Sequence, residues 1–239
     1  MNIAILLAGG QGTRVGGDIP KQYCYVEGRP IIGYSLRTLA YDQRTDVVVV
    51  VAAPEWHTLI SRAASHAGWK KVFFASPGET RQYSIYNALK FIESDPTFPT
   101  DTEDCTVLVH DAARPLVTTT LIARCYDACR EADAVMPVVP VKDTVYYTAD
   151  GQHITQLLDR SHLKAGQAPE AFRFGPYLKA HDDTPRQELL RINGSTEIAY
   201  RQGLNVVLVE GETLNFKITT PEDLCNFEDL QHRLEQNIP

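Results

Sequence analysis

Five residues near the N-terminus have the types and spacing to hold an anion: Gly9, Gly10, Gly12, Arg14 and Lys21. An apolar run from Ile3 to Leu7 ends abruptly in the glycines, and the two cations follow. A strand entering such a loop offers bare backbone N–H groups, because glycine lets the main chain approach a ligand closely. Arg14 and Lys21 add mobile positive charge for the same anion. The implied chemistry is at phosphates, with a nucleoside triphosphate as the economical ligand. Two better-known loops are excluded. A P-loop requires Gly-Lys followed by Ser or Thr, and the fingerprint G-x-G-x-x-G requires a glycine at 15, where Val15 stands. A tight strand-to-helix turn would account for the glycines, but not for Arg14 together with Pro20-Lys21.

Four further clusters carry polar chemistry. Gly78-Glu79-Thr80-Arg81, with Ser84, reads alone as an ordinary helix start. In His110-Asp111-Ala112-Ala113-Arg114-Pro115, a carboxylate leaves a strand beside an arginine. That suits a Mg²⁺ ligand, since Mg²⁺ is usually held by one or two carboxylates plus substrate phosphates. An Asp111–Arg114 structural pair is the competing reading, and His110 is read as structural. Asp159-Arg160 and Asn215-Phe216-Lys217-Ile218-Thr219 complete the set. Spacing alone does not distinguish Arg160 or Lys217 from solvated surface charges.

These residues need a scaffold, and the hydrophobic pattern supplies one. Val47–Ala52 is a continuous apolar stretch of the kind buried on both faces of a parallel sheet. Residues 72–75, 106–110 and 134–139 are similar runs. Amphipathic segments at 31–39, 57–67, 84–92 and 121–131 lie between them, with Ile32, Ser35, Leu36 and Leu39 on one helical face. The alternation implies an α/β fold with a doubly wound, mostly parallel sheet. Such sheets bind ligands beyond the carboxyl ends of their strands, where the 9–14 loop and His110-Asp111 both fall. After Pro140 the pattern changes. Residues 142–148 and 153–158 alternate around Asp150-Gly151, a hairpin signal. With Val145, Tyr147, Ile154 and Leu157 it is read as a projecting β-arm, at about 141–160, for homodimerisation; an edge hairpin folded on its own domain is the alternative. A strand at 205–209 and a helix from Pro221, capped by Thr220 with Asp223 three residues on, close the chain. Asp95–Asp104 is read as a surface loop.

Composition bounds the rest. The 239 residues, 44% hydrophobic, fit a single domain over 1–239 with a sizeable core. No apolar run reaches the length of a membrane span, so none is expected, and no secretory signal is expected, since the first residues show neither a basic n-region nor a cleavage site. Five scattered cysteines suit reduced thiols, so a cytoplasmic protein is expected. Cys125 and Cys129 lie one helical turn apart without a second pair, and read as thiols rather than metal ligands. A net charge of -7 argues against broad nucleic-acid binding. Any cationic pocket must be local.

Together the motifs resemble the polyol-phosphate cytidylyltransferase family, which includes ribitol-5-phosphate and 2-C-methyl-D-erythritol 4-phosphate cytidylyltransferases. The matching residues are Ala8-Gly9-Gly10-x-Gly12-x-Arg14, Pro20-Lys21-Gln22-Tyr23, Arg81-x-x-Ser84, His110-Asp111-Ala112-x-Arg114-Pro115, Asp143-Thr144, and Asn215-x-Lys217-Ile218-Thr219 with Pro221-Glu222-Asp223-Leu224. The resemblance runs from residue 4 to about 230 and implies that CTP and a polyol phosphate give a CDP-polyol and pyrophosphate. It implies catalytic roles for Arg14, Lys21 and Lys217, and nucleotide contacts from Leu7, Ala8, Gly9, Gly10, Gly12, Arg81, Ser84, Asp111 and Ala112. Asp111 would hold Mg²⁺ or another divalent cation. Arg114, Thr144 and Arg160 would bind the polyol phosphate, Arg160 reaching from the arm into a partner subunit.

The chain departs from the family near the acceptor. Methylerythritol-phosphate enzymes usually carry a Trp shortly before Thr-Pro-Gln-x-Phe; here residues 163–172 hold no Trp, and Ala168 and Glu170 replace Thr and Gln. Residues 193–197 align with no unique family segment. His162-Leu163-x-x-Gly166-Gln167 looks more like the ribitol-phosphate enzymes, so D-ribitol 5-phosphate is ranked first and methylerythritol phosphate second. A sugar-1-phosphate nucleotidyltransferase using another base and a non-catalytic nucleotide-binding protein are the other readings; retention of Arg14, Lys21, Asp111 and Lys217 together disfavours the last. Replacing Arg14 or Lys21 with alanine is expected to lower turnover about 100-fold or more, the scale of one lost charge-stabilising donor. Near-wild-type steady-state turnover in both variants would overturn the assignment.

Overall fold

The computed structural model describes residues 1–10, 19–65, 72–98 and 105–236. Gly12 and Arg14 lie outside the described residues, as do residues 99–104 of the 95–104 loop.

In chain order the elements are β1 (Asn2–Leu7), β2 (Tyr25–Val26), β3 (Arg29–Pro30), α1 (Ile31–Tyr41), β4 (Val47–Val51), α2 (His57–Ser65), β5 (Val72–Ala75), α3 (Arg81–Ser94), β6 (Thr106–Asp111), α4 (Thr119–Ala128) and β7 (Ala134–Pro140). There follow β8 (Val145–Tyr147), β9 (Gln156–Leu158), β10 (Lys164–Gly166), β11 (Glu170–Arg173), α5 (Phe174–Asp182), α6 (Arg186–Leu189), α7 (Ser195–Arg201), β12 (Val206–Glu210) and α8 (Pro221–Gln236). Among the described residues the main sheet has eight strands, in the order β10-β7-β11-β6-β1-β4-β5, with β12 paired to β7. β1 lies parallel between β4 and β6, and the five consecutive valines of β4 are all buried, as a strand covered on both faces requires.

The fold is therefore α/β, with a mostly parallel sheet and helices on both faces. One face packs α3, α5 and α7 against Ile3, Ile5, Val107, Val109 and Phe172; the other packs α1, α2 and α4 against Ala4, Leu6, Val48, Val50 and Leu108. Strand alternation sends neighbouring residues to opposite faces, which puts Asp111 on the α3 side with Val109.

Three features depart from the sequence reading. Residues 164–173 form an antiparallel segment: β10 pairs with the end of β7, and β11 fits between β6 and β7. Second, β2 and β3 form a hairpin whose turn residues Glu27 and Gly28 both have positive φ (45° and 71°), the geometry of a type I′ turn. Third, the strands expected at 142–148 and 153–158 shorten to three residues each. Asp150 Oδ1 accepts from the backbone N–H groups of Gln152 (2.9 Å) and His153 (2.8 Å), which opens the Asp-Gly turn into a wider loop. The β8–β9 pair makes its own two-stranded sheet, leaving Tyr146, Tyr147, Ile154 and Leu157 exposed.

Helix starts follow the sequence chemistry. Thr80, Thr118 and Thr220 accept from the N–H groups of Tyr83, Leu121 and Asp223. His110 and His181 are buried, their ring N–H groups donating to the carbonyls of Arg114 (3.0 Å) and Tyr177 (2.7 Å). Burial pushes both imidazoles down to about 4. The unfolded chain, with histidines near about 6.5, then takes up protons first as pH falls. Stability from these two groups is complete above about pH 6.5 and is lost as pH falls toward about 4. A histidine NMR titration should find two imidazoles neutral at pH 5, while the urea midpoint falls between pH 7 and 4.5. Protonation of every histidine near its ordinary value would contradict the burial.

Candidate active site

Leu7 pairs in register with Asp111, so two segments leave the carboxyl edge of the sheet side by side. One is the glycine loop after β1 and the other carries residues 112–115. The start of α3, the 3-10 turn Lys21–Tyr23 and the segment around Lys217 complete a cleft of about 610 Å³. Leu7, Gly9, Gly10, Lys21, Arg81, Ser84, Asp111 and Lys217, eight of the residues singled out from sequence, all line it. The central placement of β1 and β6 explains this convergence, since their carboxyl ends meet where the chain turns away to opposite sides.

The glycine loop is held from behind. Gln22 Nε2 donates to the carbonyls of Ala8 and Gly10, both at 2.7 Å, and the Tyr23 hydroxyl donates to Ala8 at 2.9 Å. Tyr23 in turn stacks on Trp56, with ring centroids 4.0 Å apart. The Pro20-Lys21-Gln22-Tyr23 motif therefore does two things: Gln22 and Tyr23 anchor the loop, while Lys21 and Gln22 line the cleft. Gly9 packs against Pro77, where a Cβ would stand 2.6 Å from the proline ring, so only glycine fits without displacement. At Gly10 a Cβ would meet nothing within 4 Å, because that position opens onto the cleft.

The floor is a knot of charge. Asp111 accepts from Arg81 Nε (3.0 Å, Oδ1) and Lys217 Nζ (2.8 Å, Oδ2), and Arg114 Nε lies 3.9 Å from Oδ2. Burial opposes the charge of Asp111, yet Arg81, Lys217 and Arg114 together hold its carboxyl far below the usual carboxylate range. Burial likewise opposes the charge of Arg81, but Asp111 and Glu170 keep its guanidinium firmly protonated. Lys217 owes its position to its neighbours. Ile218 N–H donates to Ala113 (2.8 Å), Asn215 Nδ2 donates to Ala168 (2.7 Å), and Arg114 Nη1 donates to the Asn215 carbonyl (2.7 Å). Gln167 clamps the preceding turn by exchanging hydrogen bonds with Glu212.

Other residues singled out from sequence stand elsewhere. The Ala112 side chain is buried in the core, its N–H donating to Leu7 (3.0 Å), and Ala113 lines the cleft instead. Arg114 lies behind Asp111 rather than on the cleft surface. Ser84 is at the cleft, but its hydroxyl bridges Gly78 N–H and the Thr80 carbonyl. Thr144 and Arg160 are exposed on the arm segment, outside this cleft, with Arg160 donating to the Lys142 carbonyl (2.5 Å).

Sequence reasoning missed Gln22, whose motif named it without a role, and the cluster Glu170–Ser195–Thr196. Glu170, which stands where the family usually has Gln, is buried behind Arg81, accepting hydrogen bonds from Ser195 Oγ (2.9 Å) and Thr196 Oγ1.

No group of three or more His, Cys, Asp and Glu side chains forms a metal cage among the described residues. Two carboxylates line the cleft, Asp111 at its floor and Glu79, which pairs with Arg186. Asp111 fits the mode in which Mg²⁺ is shared between one protein carboxylate and substrate phosphates.

The sequence profile described as IspD: 2-C-methyl-D-erythritol 4-phosphate cytidylyltransferase matches residues 2–232. A curated relative from Geobacillus thermodenitrificans, named 2-C-methyl-D-erythritol 4-phosphate cytidylyltransferase, is 35% identical over 225 residues, covering 92% of each chain. The bifunctional enzyme IspD/IspF of Bradyrhizobium sp. (strain ORS 278) is 36% identical over 94% of this chain. This chain spans 55% of that enzyme's length. A crystal structure of 4-diphosphocytidyl-2C-methyl-D-erythritol synthase superposes with a TM-score of 0.77 at 26% identity, covering 96% of this chain and 97% of the other. The ranking of ribitol 5-phosphate as first acceptor is not supported by these relatives. Ala168 and Glu170, which depart from the family string, are buried and do not line the cleft.

Replacing Gln22 with alanine leaves the Ala8 and Gly10 carbonyls without their common donor. The loss of two such bonds should weaken binding of CTP roughly tenfold or more, read by titration calorimetry, with folding intact. Unchanged affinity would show that the loop holds its shape without Gln22.

Proposed function

The chain belongs to the IspD family of 2-C-methyl-D-erythritol 4-phosphate cytidylyltransferases, and from that premise we propose that it joins CTP to 2-C-methyl-D-erythritol 4-phosphate. A phosphate oxygen of the acceptor attacks the α-phosphorus of CTP, the bond from that phosphorus to the bridging oxygen of the β-phosphate breaks, and pyrophosphate leaves. The products are the CDP-activated polyol and pyrophosphate. The observation that carries this reading is the convergence of Lys21, Arg81, Asp111 and Lys217 on one cleft beside the glycine loop.

Both reactants are anions, so the barrier is dominated by bringing like charges together, and positioning with charge neutralisation is the main catalytic resource. The loop backbone at Gly9 and Gly10 cradles the triphosphate. Lys21 and Lys217 face the α-phosphate, where negative charge builds as the new bond forms. Arg81 closes the nucleotide side, and Asp111 would hold a divalent cation. When bound, Mg²⁺ supplies further neutralisation of the phosphate oxygens. Each lysine starts on a partly desolvated surface, which strengthens its attraction for phosphate relative to water.

The same reading places the acceptor site at a subunit boundary. The β8–β9 arm exposes Tyr146, Tyr147, Ile154 and Leu157, an apolar surface suited to a second copy. Arg160 and Thr144, outside their own cleft, would then serve the partner's acceptor. Residues 1–239 act as one nucleotidyltransferase domain in this scheme, and the five free cysteines suit work in the cytoplasm. Among the described residues no helix is long and apolar enough to cross a membrane.

Purified protein mixed with CTP, Mg²⁺ and 2-C-methyl-D-erythritol 4-phosphate should release pyrophosphate, with ribitol 5-phosphate and the other three nucleoside triphosphates far slower. Faster release with ribitol 5-phosphate would overturn the acceptor. No release with any polyol phosphate would overturn the enzyme reading.

A further inference from the structure

Arg81 stands between two buried carboxylates, and only one of them reaches the cleft. Its Nε donates to Asp111, while Nη2 lies 3.6 Å from Glu170 Oε1, and Nη1 donates to the Ser195 hydroxyl that also donates to Glu170. The Glu170 and Asp111 side chains are 6% and 10% exposed. Glu170 does not line the cleft, and its second oxygen is held by Thr196. The register explains the arrangement: Glu170 pairs with Val109 across β11 and β6, so it sits on the same face as Asp111, one step deeper along the strand.

This arrangement matters once a divalent cation competes for Asp111. A carboxylate that turns toward Mg²⁺ attracts its own arginine less, and a buried guanidinium left without a counter-charge is strongly disfavoured. With Asp111 as its sole anion, Arg81 would resist that turn. We propose that Glu170 is a positioning residue: it is the second counter-charge of Arg81, and it frees Asp111 to share a metal ion with the nucleotide phosphates. Ser195 and Thr196 fix Glu170 in that role by occupying the lone pairs that would otherwise draw it toward other cations. The inference rests on the proposed CTP chemistry, in which Asp111 is the metal-holding carboxylate.

The test compares CTP affinity by calorimetry in saturating Mg²⁺ and in EDTA, for the wild type and for Glu170→Gln. The amide keeps the size of the side chain and hydrogen-bonding capacity toward Ser195 and Thr196, but not the charge. The ratio of the two dissociation constants, the gain in CTP affinity conferred by metal, should fall roughly tenfold in the variant. Affinity in EDTA should stay near the wild-type value. An unchanged ratio, or an equal loss with and without metal, would overturn the proposal. Thr196→Val, which releases one Glu170 oxygen, should shift the ratio in the same direction by less, and it carries the test should Glu170→Gln fail to fold. No acceptor is present in these titrations. A wrong acceptor therefore leaves the result intact, whereas absence of any CTP binding by the wild type marks failure of the nucleotide reading itself.

Discussion

A single carboxylate, Asp111, draws the carboxyl edge of the sheet together. Moving a carboxylate from water into a sheet edge costs several kcal/mol even after relaxation, and the ion survives there because Arg81, Lys217 and Arg114 surround it. The attraction works in both directions. The cations, drawn from the start of α3, the segment after β12 and the turn after β6, would repel one another without the carboxylate between them. A chain of net charge -7 thereby builds a small cationic cleft. In the proposed reaction, incoming phosphates would meet positive side chains already gathered, so little reorganisation would be left for the moment of reaction.

The rest of the scaffold keeps this cluster in register with the glycine loop. β1 and β6 are neighbours near the centre of the sheet, and the packed faces on either side leave their relative height no freedom. Gln22, Tyr23 and Trp56 fasten the loop to the layer that holds α1 and α2. Gln167, Asn215 and Arg114 fasten the Lys217 segment to β6 and β11. Each anchor spends its hydrogen bonds on backbone carbonyls or N–H groups, which leaves Lys21, Arg81 and Lys217 to carry charge. Anchoring and chemistry are thus divided between adjacent residues of the same short motifs.

The arm follows a different logic. Its two short strands form no pairs with the main sheet, and a two-stranded ribbon is marginal alone in water. Asp150 and Thr148 brace its tip through local hydrogen bonds. Its exposed Tyr and aliphatic side chains are of the kind that a second surface stabilises by covering.

The fold class and the glycine loop were legible in the sequence because they depend on local signals, whereas Arg81, Ser84 and Lys217 were reached only through the family resemblance. Valine runs mark strands buried on both faces, Thr caps mark helix starts, and glycine after an apolar run marks a loop able to meet phosphate. Periodicity was silent about residues 164–173, since a segment of three and four paired residues broken by Gln167, Ala168 and Pro169 carries no long pattern. Glu27-Gly28 gave little turn signal for a similar reason: Glu is not a usual residue at positive φ. By itself the amino-acid sequence determined the alternating α/β order, the glycine loop and the residue types able to hold phosphate. Only the tertiary structure decided that Arg81, Asp111, Glu170, Ser195 and Lys217 share one charge cluster. They are separated by up to 136 positions in the chain (from 81 to 217), and attraction between buried charges depends on distance through the folded protein, which strand register sets and spacing along the chain does not.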